Sequence, residues 1–327
     1  MRKSSRLVIA TVCCGAWLGL GNGASAQTWP TRPIKLVVGY TPGGYTDTMA
    51  RAVGEKLAAS LGQQVLIENK PGANGIIGAD LVAKAAPDGY TLGMVIAAFA
   101  VNATLYAGKL PFDPLKDVVP VSLASVAPLI LVANNNFPPK TLAELIAYAK
   151  ANPGKINFGS SGIGAAAHLG MEYFMNVTGT KMVHAPYKGT APALTDLMGG
   201  QIQIMFDTPS SMMPHVKGGK IRALAMATEK RSAAAPEGPT VIEGGVPNYV
   251  YGSWAMLVAP GNTPKEIVAR LSAEVGKMMR SPEVREKFAL LGVDPVGNTP
   301  EEAAEFLKAE IAKSGKIVRD ANVKVDN

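Results

Sequence analysis

The chain is poor in cysteine, histidine and clustered charge, and each shortage excludes a class of function. Its two cysteines, Cys13 and Cys14, both lie near the N-terminus, so the rest of the 327 residues has no disulfide framework and no thiol chemistry. The three histidines stand in none of the spacings that assemble zinc. Lys and Arg are scattered, without a basic block or interleaved aromatics, which argues against nucleic-acid binding. We therefore expect no metal and no nucleic acid.

The N-terminus has the three parts of a secretory signal peptide. Basic residues at 2, 3 and 6 precede an uncharged apolar run over 7–20, and Ala24-Ser25-Ala26 supplies small residues for cleavage. The run is too short to span a bilayer, and the Ala-x-Ala site argues against an uncleaved anchor. Val12 before Cys13 argues against a lipid anchor. The sequence predicts a signal peptide over 1–26, cleavage after Ala26 and a periplasmic location.

Cleavage removes both cysteines and three of the 32 basic residues, and leaves a mild positive excess over 25 acidic ones. That balance suits an anionic small ligand. About 300 residues remain, enough to bury one large core or two modest ones. Beyond the signal peptide no apolar run is long enough for a transmembrane helix.

Strand and helix patterns alternate in two blocks, which predicts two α/β units with parallel sheets covered by helices. The first block has strands at 34–38, 64–68 and 91–97 with helices at 46–61 and 76–86. The second has strands at 129–133, 156–158, 181–185, 203–206 and 221–227 with helices at 141–152, 166–177 and 191–199. A strand at 254–259 and helices at 264–279, 282–290 and 300–312 follow.

Two extended apolar segments, 126–134 and 251–260, flank the second block and are predicted to be hinge strands. We therefore assign residues 27–127 and 260–327 to lobe 1 and residues 128–259 to lobe 2. In such folds ligands bind in the cleft at the carboxyl ends of the strands.

Two glycine-rich loops stand at predicted strand-to-helix junctions, at 41–47 and 159–167. Each can present free backbone N–H groups at a helix N-terminus, and the pair suggests a clamp on a carboxylate. Simpler interpretations stay open: Thr46 or Asp47 as a helix cap, and the second loop as a tight turn. Tyr45 is either a solvent-facing loop residue or a ring that stacks on the ligand.

Two enzyme hypotheses fail on their motifs. Gly162-x-Gly164-x-x-Ala167 fits a dinucleotide fingerprint, but the acidic residue that binds the ribose is missing after the next strand. No G-x-S-x-G is present, and a Ser161–His168 pair has no third member. His168 within a helix is more simply a structural hydrogen-bonding residue. We expect neither an enzyme nor a cofactor.

A series of short motifs resembles the solute receptors of tripartite tricarboxylate transporters, the TctC or Bug family. They run in the family's order over the whole mature chain: Trp29-Pro30-x-x-Pro33-Ile34, Pro42-Gly43-Gly44-x-x-Asp47, Glu68-Asn69-Lys70-Pro71-Gly72-Ala73, Ala86-Pro87-Asp88-Gly89-Tyr90-Thr91-Leu92, Pro186-Tyr187-Lys188-Gly189, Gly199-Gly200-Gln201 and Ser281-Pro282-Glu283-Val284-Arg285. The resemblance implies a type II periplasmic binding protein, an α/β fold whose two lobes are joined by hinge strands around a ligand cleft.

The resemblance also implies a ligand site and partners. Its ligand-binding positions correspond to Gly44, Tyr45, Thr46, Asp47, Ser160, Ser161, Ala165, Ala166, Ala167 and His168, with Asp207 and Ser210 completing the cleft. The expected ligand is a small organic carboxylate, and the partners are membrane permease subunits or, as the alternative, a membrane sensor. We expect a monomer. An exported hydrolase is disfavoured.

The chain departs from the family's common pattern in three places. Val38-Gly39-Tyr40-Thr41 stands where a Val-Pro-Phe-Pro-type run is common, Tyr45 stands where small residues are frequent, and Ala165-Ala166-Ala167 replaces a more hydroxylated segment. These changes predict a less hydrophilic pocket, suited to an aromatic or longer-chain carboxylate.

Overall fold

The structure is a computed structural model that describes residues 29–232, 236–320 and 323 and contains two β-sheets. The predicted signal peptide and its cleavage site lie outside these residues and stay a prediction. Among the described helices none is both long and apolar enough to cross a membrane.

The elements follow one another in the predicted alternation. The chain begins with β1 (Ile34–Val38), α1 (Tyr45–Leu61), β2 (Val65–Asn69), α2 (Ile76–Ala83), β3 (Thr91–Ile96), α3 (Ala97–Leu105) and β4 (Val118–Pro128). It continues with β5 (Ile130–Asn134), α4 (Leu142–Ala151), β6 (Asn157–Ser160), α5 (Ala166–Thr178), β7 (Val183–Pro186), α6 (Thr190–Gly199), β8 (Ile204–Asp207), α7 (Pro209–Lys217) and β9 (Ile221–Met226). It ends with β10 (Gly252–Pro260), α8 (Lys265–Arg280), α9 (Pro282–Leu290), β11 (Asp294–Pro295) and α10 (Pro300–Asp320).

Lobe 1 is built on a six-stranded sheet in the order β11-β4-β10-β3-β1-β2. β1 pairs with β2 and β3 in parallel, as predicted, whereas β10 runs antiparallel to both β3 and β4. The predicted parallel pairing of these first three strands is confirmed, and β10, for which the sequence predicted no direction, adds the antiparallel pairs. A strand that returns from the other lobe enters the sheet from the opposite end, which makes it antiparallel.

Lobe 2 is built on a five-stranded sheet in the order β7-β6-β8-β5-β9. β6 is parallel to β7 and β8, and β5 is antiparallel to β8 and β9. The carboxyl ends of β6, β7 and β8 lead into α5, α6 and α7, so the N-termini of these three helices lie on one side of the sheet.

The chain crosses between the lobes at two neighbouring points. It leaves the first sheet at Pro128, the end of β4, and enters the second sheet at Ile130. It returns at Tyr251, whose N–H donates to Ala227 and whose carbonyl accepts from Leu129. β10 is hydrogen bonded wholly within the first sheet, so the structure draws the second boundary of lobe 2 near residue 251 rather than 259.

Each lobe has its own core, and the apolar periodicity of the helices explains how they cover it. α1 buries Met49, Val53 and Leu57 at helical spacing against the first sheet, and α8 buries Leu271 and Val275 in the same cluster. Lobe 2 encloses a separate cluster with Phe158, Phe174, Phe206 and Tyr249 at its centre. Two units with separate main cores, joined by two short crossings, are the architecture of a hinge.

Candidate ligand-binding site

A cavity of about 30 Å³ lies where the two lobes face each other. Lobe 1 lines it with Tyr40, Gly44, Tyr45, Thr46 and Ile96, lobe 2 with Ser161, Ala166, Ala167, Thr190, Asp207 and Thr208, and the hinge region with Leu129 and Ser253. Both lobes therefore contribute to one enclosure.

Two glycines, one in each lobe, closely approach side chains of the other lobe. A Cβ atom at Gly44 would lie 3.1 Å from Oγ1 of Thr190 in the other lobe. At Gly162 it would lie 3.0 Å from Oδ1 of Asn74, again across the cleft. The lobes are thus in contact, and glycine at these positions permits the approach.

Four helices begin at the wall of the cavity. Its lining includes the first residues of α1, α5 and α6 and the N-cap of α7, namely Tyr45, Thr46, Ala166, Ala167, Thr190 and Thr208. The first N–H groups of a helix have no partner within the helix, and the aligned peptide dipoles favour an anion there. No Lys, Arg or His side chain lines the cavity in the described part of the chain. The wall therefore combines four helix N-termini with one carboxylate, Asp207, and no cationic side chain of the described residues.

Asp47 shapes the first loop from behind the wall. Its Oδ2 accepts from the Gly43 N–H at 3.0 Å and from Arg51 Nε at 2.8 Å, while Oδ1 accepts from Arg51 and Asn69, both at 3.0 Å. Burial opposes ionisation of Asp47, but these hydrogen bonds outweigh it and hold its pKa below the ordinary value. The carboxylate is fully engaged in fixing the loop.

Two tyrosines form the lobe 1 side of the cavity. The Tyr45 hydroxyl lies 2.9 Å from Ser125 Oγ, and the Tyr40 hydroxyl donates to the carbonyl of Asn74 at 3.0 Å. Burial raises the pKa of both phenols, so they are neutral at physiological pH. Both side chains line the cavity, and their hydroxyls are held by these hydrogen bonds.

A stack of aromatic rings supports the second loop. His184 lies between Phe158 and His168, with centroid distances of 4.8 and 3.9 Å. Its Nε2 lies 2.7 Å from Ser160 Oγ, and burial followed by the proximity of His168 lowers the pKa of His184 to about 3. His168 Nδ1 accepts from the Gly164 N–H at 3.0 Å. The histidines hold the loop and lie outside the cavity wall.

This arrangement does not join Ser161 to His168. His168 uses one ring nitrogen for Gly164, and the other lies 3.5 Å from Glu172 Oε1. Neither nitrogen contacts Ser161, so that hydroxyl has no base in the part of the chain that the structure describes.

Asp207 is the one acidic side chain on the cavity wall of the described residues. Its Oδ2 accepts from Thr190 Oγ1 at 2.8 Å and its Oδ1 from the Thr208 N–H at 2.7 Å. Burial raises its pKa to about 6, against the opposing effect of these hydrogen bonds. It forms no ion pair with a cation of the described chain, unlike Asp47.

The structure brings seven of the predicted site residues to the cavity and places five behind it. The predicted residues that line the cavity are Gly44, Tyr45, Thr46, Ser161, Ala166, Ala167 and Asp207. Those that do not line it are Asp47, Ser160, Ala165, His168 and Ser210. Sequence reasoning did not name Tyr40, Ile96, Leu129, Thr190, Thr208 and Ser253 as site residues. Thr190 had a usable signal, because it follows Gly189 at a third strand-to-helix junction of the same kind.

Comparison with known proteins decides the family. The family model described as "Tripartite tricarboxylate transporter family receptor" matches residues 49–323. The chain belongs to this family. Receptors of the tripartite tricarboxylate transporter family are periplasmic solute-binding proteins that bind small carboxylates, and they are not enzymes.

One relative and two solved structures show how close the likeness is. Protein BugT of Bordetella pertussis is 38% identical over 312 residues, covering 95% of each chain. The structure of Rpa4515 from R. palustris with adipate has a TM-score of 0.88 at 35% identity, covering 90% of this chain and 99% of that one. MatC from Rhodopseudomonas palustris with bound malate has a TM-score of 0.82 at 34% identity, covering 89% and 100%. The two-lobed periplasmic binding protein fold is thereby established.

Proposed function

We propose that this receptor captures a small organic carboxylate between its lobes and delivers it to a membrane permease of the tripartite tricarboxylate type. The observation that carries the proposal is the convergence of four helix N-termini, from both lobes, on one cavity that no cationic side chain of the described residues lines. Such a wall binds an anion through backbone N–H groups. The adipate and malate in the two related structures support the same ligand chemistry.

Binding from both lobes explains why the ligand closes the cleft. A ligand shifts the equilibrium between open and closed forms only by its difference in affinity for the two. Here the donors of α1 belong to lobe 1 and those of α5, α6 and α7 to lobe 2, so a carboxylate reaches the full set only when the lobes are together. Closure then marks the loaded receptor for its membrane partner.

The ligand is expected among dicarboxylates and aromatic carboxylates. The rings of Tyr40 and Tyr45 give the lobe 1 side an apolar surface, and Ala166 and Ala167 add no polar group opposite. The cavity of about 30 Å³ is small, so a ligand as long as adipate requires the lobes to sit further apart than they do here.

A thermal-shift and calorimetric screen of the mature protein tests the proposal. The panel contains succinate, malate, adipate, benzoate and terephthalate, with the corresponding amides as uncharged controls. A ligand present at a hundred times its Kd adds about 2.7 kcal/mol to the free energy of unfolding. No stabilisation by any carboxylate at millimolar concentration overturns the proposal.

Delivery to a permease is tested separately from binding. Cells that express the receptor with the permease are given the labelled ligand, and uptake is compared with cells that carry Gly44→Ala in the receptor. Uptake that depends on an intact receptor supports transport. Normal uptake without the receptor, together with ligand-dependent transcription that requires it, supports the sensor alternative instead.

A further inference from the structure

Ser253 is a buried hydroxyl on the wall of the ligand cavity that has no hydrogen-bond partner in the described chain. It is the second residue of β10, opposite Ala127 of β4, next to the point where the chain returns from lobe 2. The residue is only 7% exposed, and its Oγ lies within hydrogen-bond distance of no donor or acceptor of the described residues. Ser253 nevertheless lines the cavity, together with Leu129 and Tyr45.

Three of the other hydroxyls around the cavity are already engaged by the protein. Tyr40 donates to Asn74, the hydroxyl of Tyr45 pairs with Ser125, and Thr190 donates to Asp207. Buried polar groups in native proteins are nearly always satisfied, and an exception calls for an explanation. A partner that arrives with the ligand is such an explanation for a hydroxyl that lies on a ligand cavity.

The position of Ser253 distinguishes it from the helix N-termini. The N-termini belong to α1 in lobe 1 and to α5, α6 and α7 in lobe 2, whereas Ser253 lies on β10, two residues after the crossing at Tyr251. The cavity therefore has one set of backbone donors for an anion and a separate hydroxyl at its hinge side. A ligand with two polar groups can satisfy both.

We propose that Ser253 is a ligand-binding residue whose hydroxyl pairs with a second polar group of the ligand, so that the receptor selects carboxylates with two polar ends over apolar monocarboxylates. This inference rests on the proposed function, because the first polar group is the carboxylate held at the helix N-termini. The second group is an oxygen, of a carboxylate or a hydroxyl, that accepts from or donates to the serine.

The test measures affinity by calorimetry for matched acids of equal length: succinate with butyrate, and adipate with hexanoate. Of succinate and adipate, the wild-type receptor is expected to bind the one with higher affinity at least tenfold more tightly than the monocarboxylate of the same length. Ser253→Ala is expected to weaken that dicarboxylate about tenfold, the size of one hydrogen bond, and to leave the monocarboxylate unchanged.

Thr263→Val is the matched control. Thr263 is also 7% exposed, and its Oγ1 has no partner among the described residues, but it is not on the cavity wall, so its removal should leave both affinities unchanged. Urea unfolding without ligand should show that Ser253→Ala is at least as stable as the wild type, since the substitution removes an unsatisfied hydroxyl.

The outcomes separate the two proposals. A wild type that binds no carboxylate overturns the proposed function and this inference with it. A wild type that binds carboxylates while Ser253→Ala leaves the dicarboxylate preference unchanged overturns the role of Ser253 alone. If the wild type binds the monocarboxylates as tightly as the dicarboxylates or more tightly, the role of Ser253 is overturned as well.

Discussion

Replacing Asp207 by Asn should stabilise the ligand-free protein, although it removes a charge that accepts two hydrogen bonds. The geometry survives the change, because the Oδ1 atom of an asparagine can accept from the Thr208 N–H and its amide can donate to Thr190 Oγ1. What disappears is a carboxylate that is buried without a cation of the described chain. Burying an unpaired charge costs free energy, which the neutral amide avoids.

The magnitude follows from the pKa of Asp207. Burial raises it from 3.8 to about 6. That difference corresponds to about 3 kcal/mol, at 1.36 kcal/mol for each pH unit. Between these two pH values the folded protein keeps a proton that the unfolded chain has lost, so the stability of the wild type falls as the pH rises and is constant above pH 6. The asparagine of the Asp207→Asn variant does not titrate, and the advantage of the variant is therefore largest above pH 6.

Urea unfolding of both proteins at pH 4, 5, 6 and 7.5, without ligand, measures this difference. The advantage of Asp207→Asn should lie between about 1 and 3 kcal/mol at pH 7.5, the lower value reflecting weaker hydrogen bonds to an amide. It should shrink as the pH falls and vanish near pH 4. A variant that is less stable than the wild type at pH 7.5 would refute the reasoning, because it would show that the carboxylate is stabilised by its surroundings.

Three further predictions follow from the same loops. Gly44→Ala keeps an allowed backbone conformation, with φ −82° and ψ 174°, but places a Cβ 3.1 Å from Oγ1 of Thr190 in the other lobe. Its carboxylate affinity, measured by calorimetry, should therefore fall about tenfold or more. The control Gly199→Ala, whose Cβ meets no atom within 4 Å, should bind normally. Asp47→Asn should lower the free energy of unfolding, measured in urea at pH 7, by about 1–3 kcal/mol. Because the pKa of Asp47 is depressed in the folded wild type, this loss should disappear as the pH falls below 3.8. An undiminished loss at pH 3 contradicts this. Tyr45→Ser should enlarge the cavity and raise the affinity for adipate relative to succinate several-fold, whereas an unchanged ratio would show that the ring does not limit ligand length.

The elements with strong local periodicity were predictable from the sequence. β1 and α1 agree with the predicted ranges within one residue. A short apolar run indicates a buried strand, and apolar residues at helical spacing indicate a helix. α3 was missed because Ala97–Leu105 is apolar on nearly every side and continues directly from β3. α7 was not predicted, since Pro214 and two serines lie within it.

Long-range pairing was beyond local patterns. The antiparallel insertion of β10 between β3 and β4 depends on where the chain returns from lobe 2, which no residue of β10 encodes by itself. The length of β4 was also missed: only the end of Val118–Pro128 fell within the predicted hinge segment 126–134. Prolines and serines along it interrupt the alternation that marks a strand.

The candidate site was predictable to the extent that it consists of strand-to-helix junctions. Gly44 to Thr46 and Ser161 were named from glycine-rich loops, and both loops reach the cavity. His168 shows the limit of this reasoning, because a residue can adjoin a binding loop in sequence and hold it from behind. Ser253 had no local signal, since its place on the wall comes from the packing of two lobes.

A cavity wall without cationic side chains, as the described residues form it, fits a receptor that must release its ligand. A Lys or Arg paired with a carboxylate within a closed cleft keeps its attraction for that carboxylate when one lobe moves away. Helix N-termini act differently: their effect falls off within the first turn, and here they are divided between the lobes. Separation of the lobes withdraws the donors of α1 from those of α5, α6 and α7, so opening of the cleft weakens binding by geometry alone. On this argument an Ala166→Arg receptor would hold a carboxylate in the open form as well, and its ligand dissociation would no longer depend on closure.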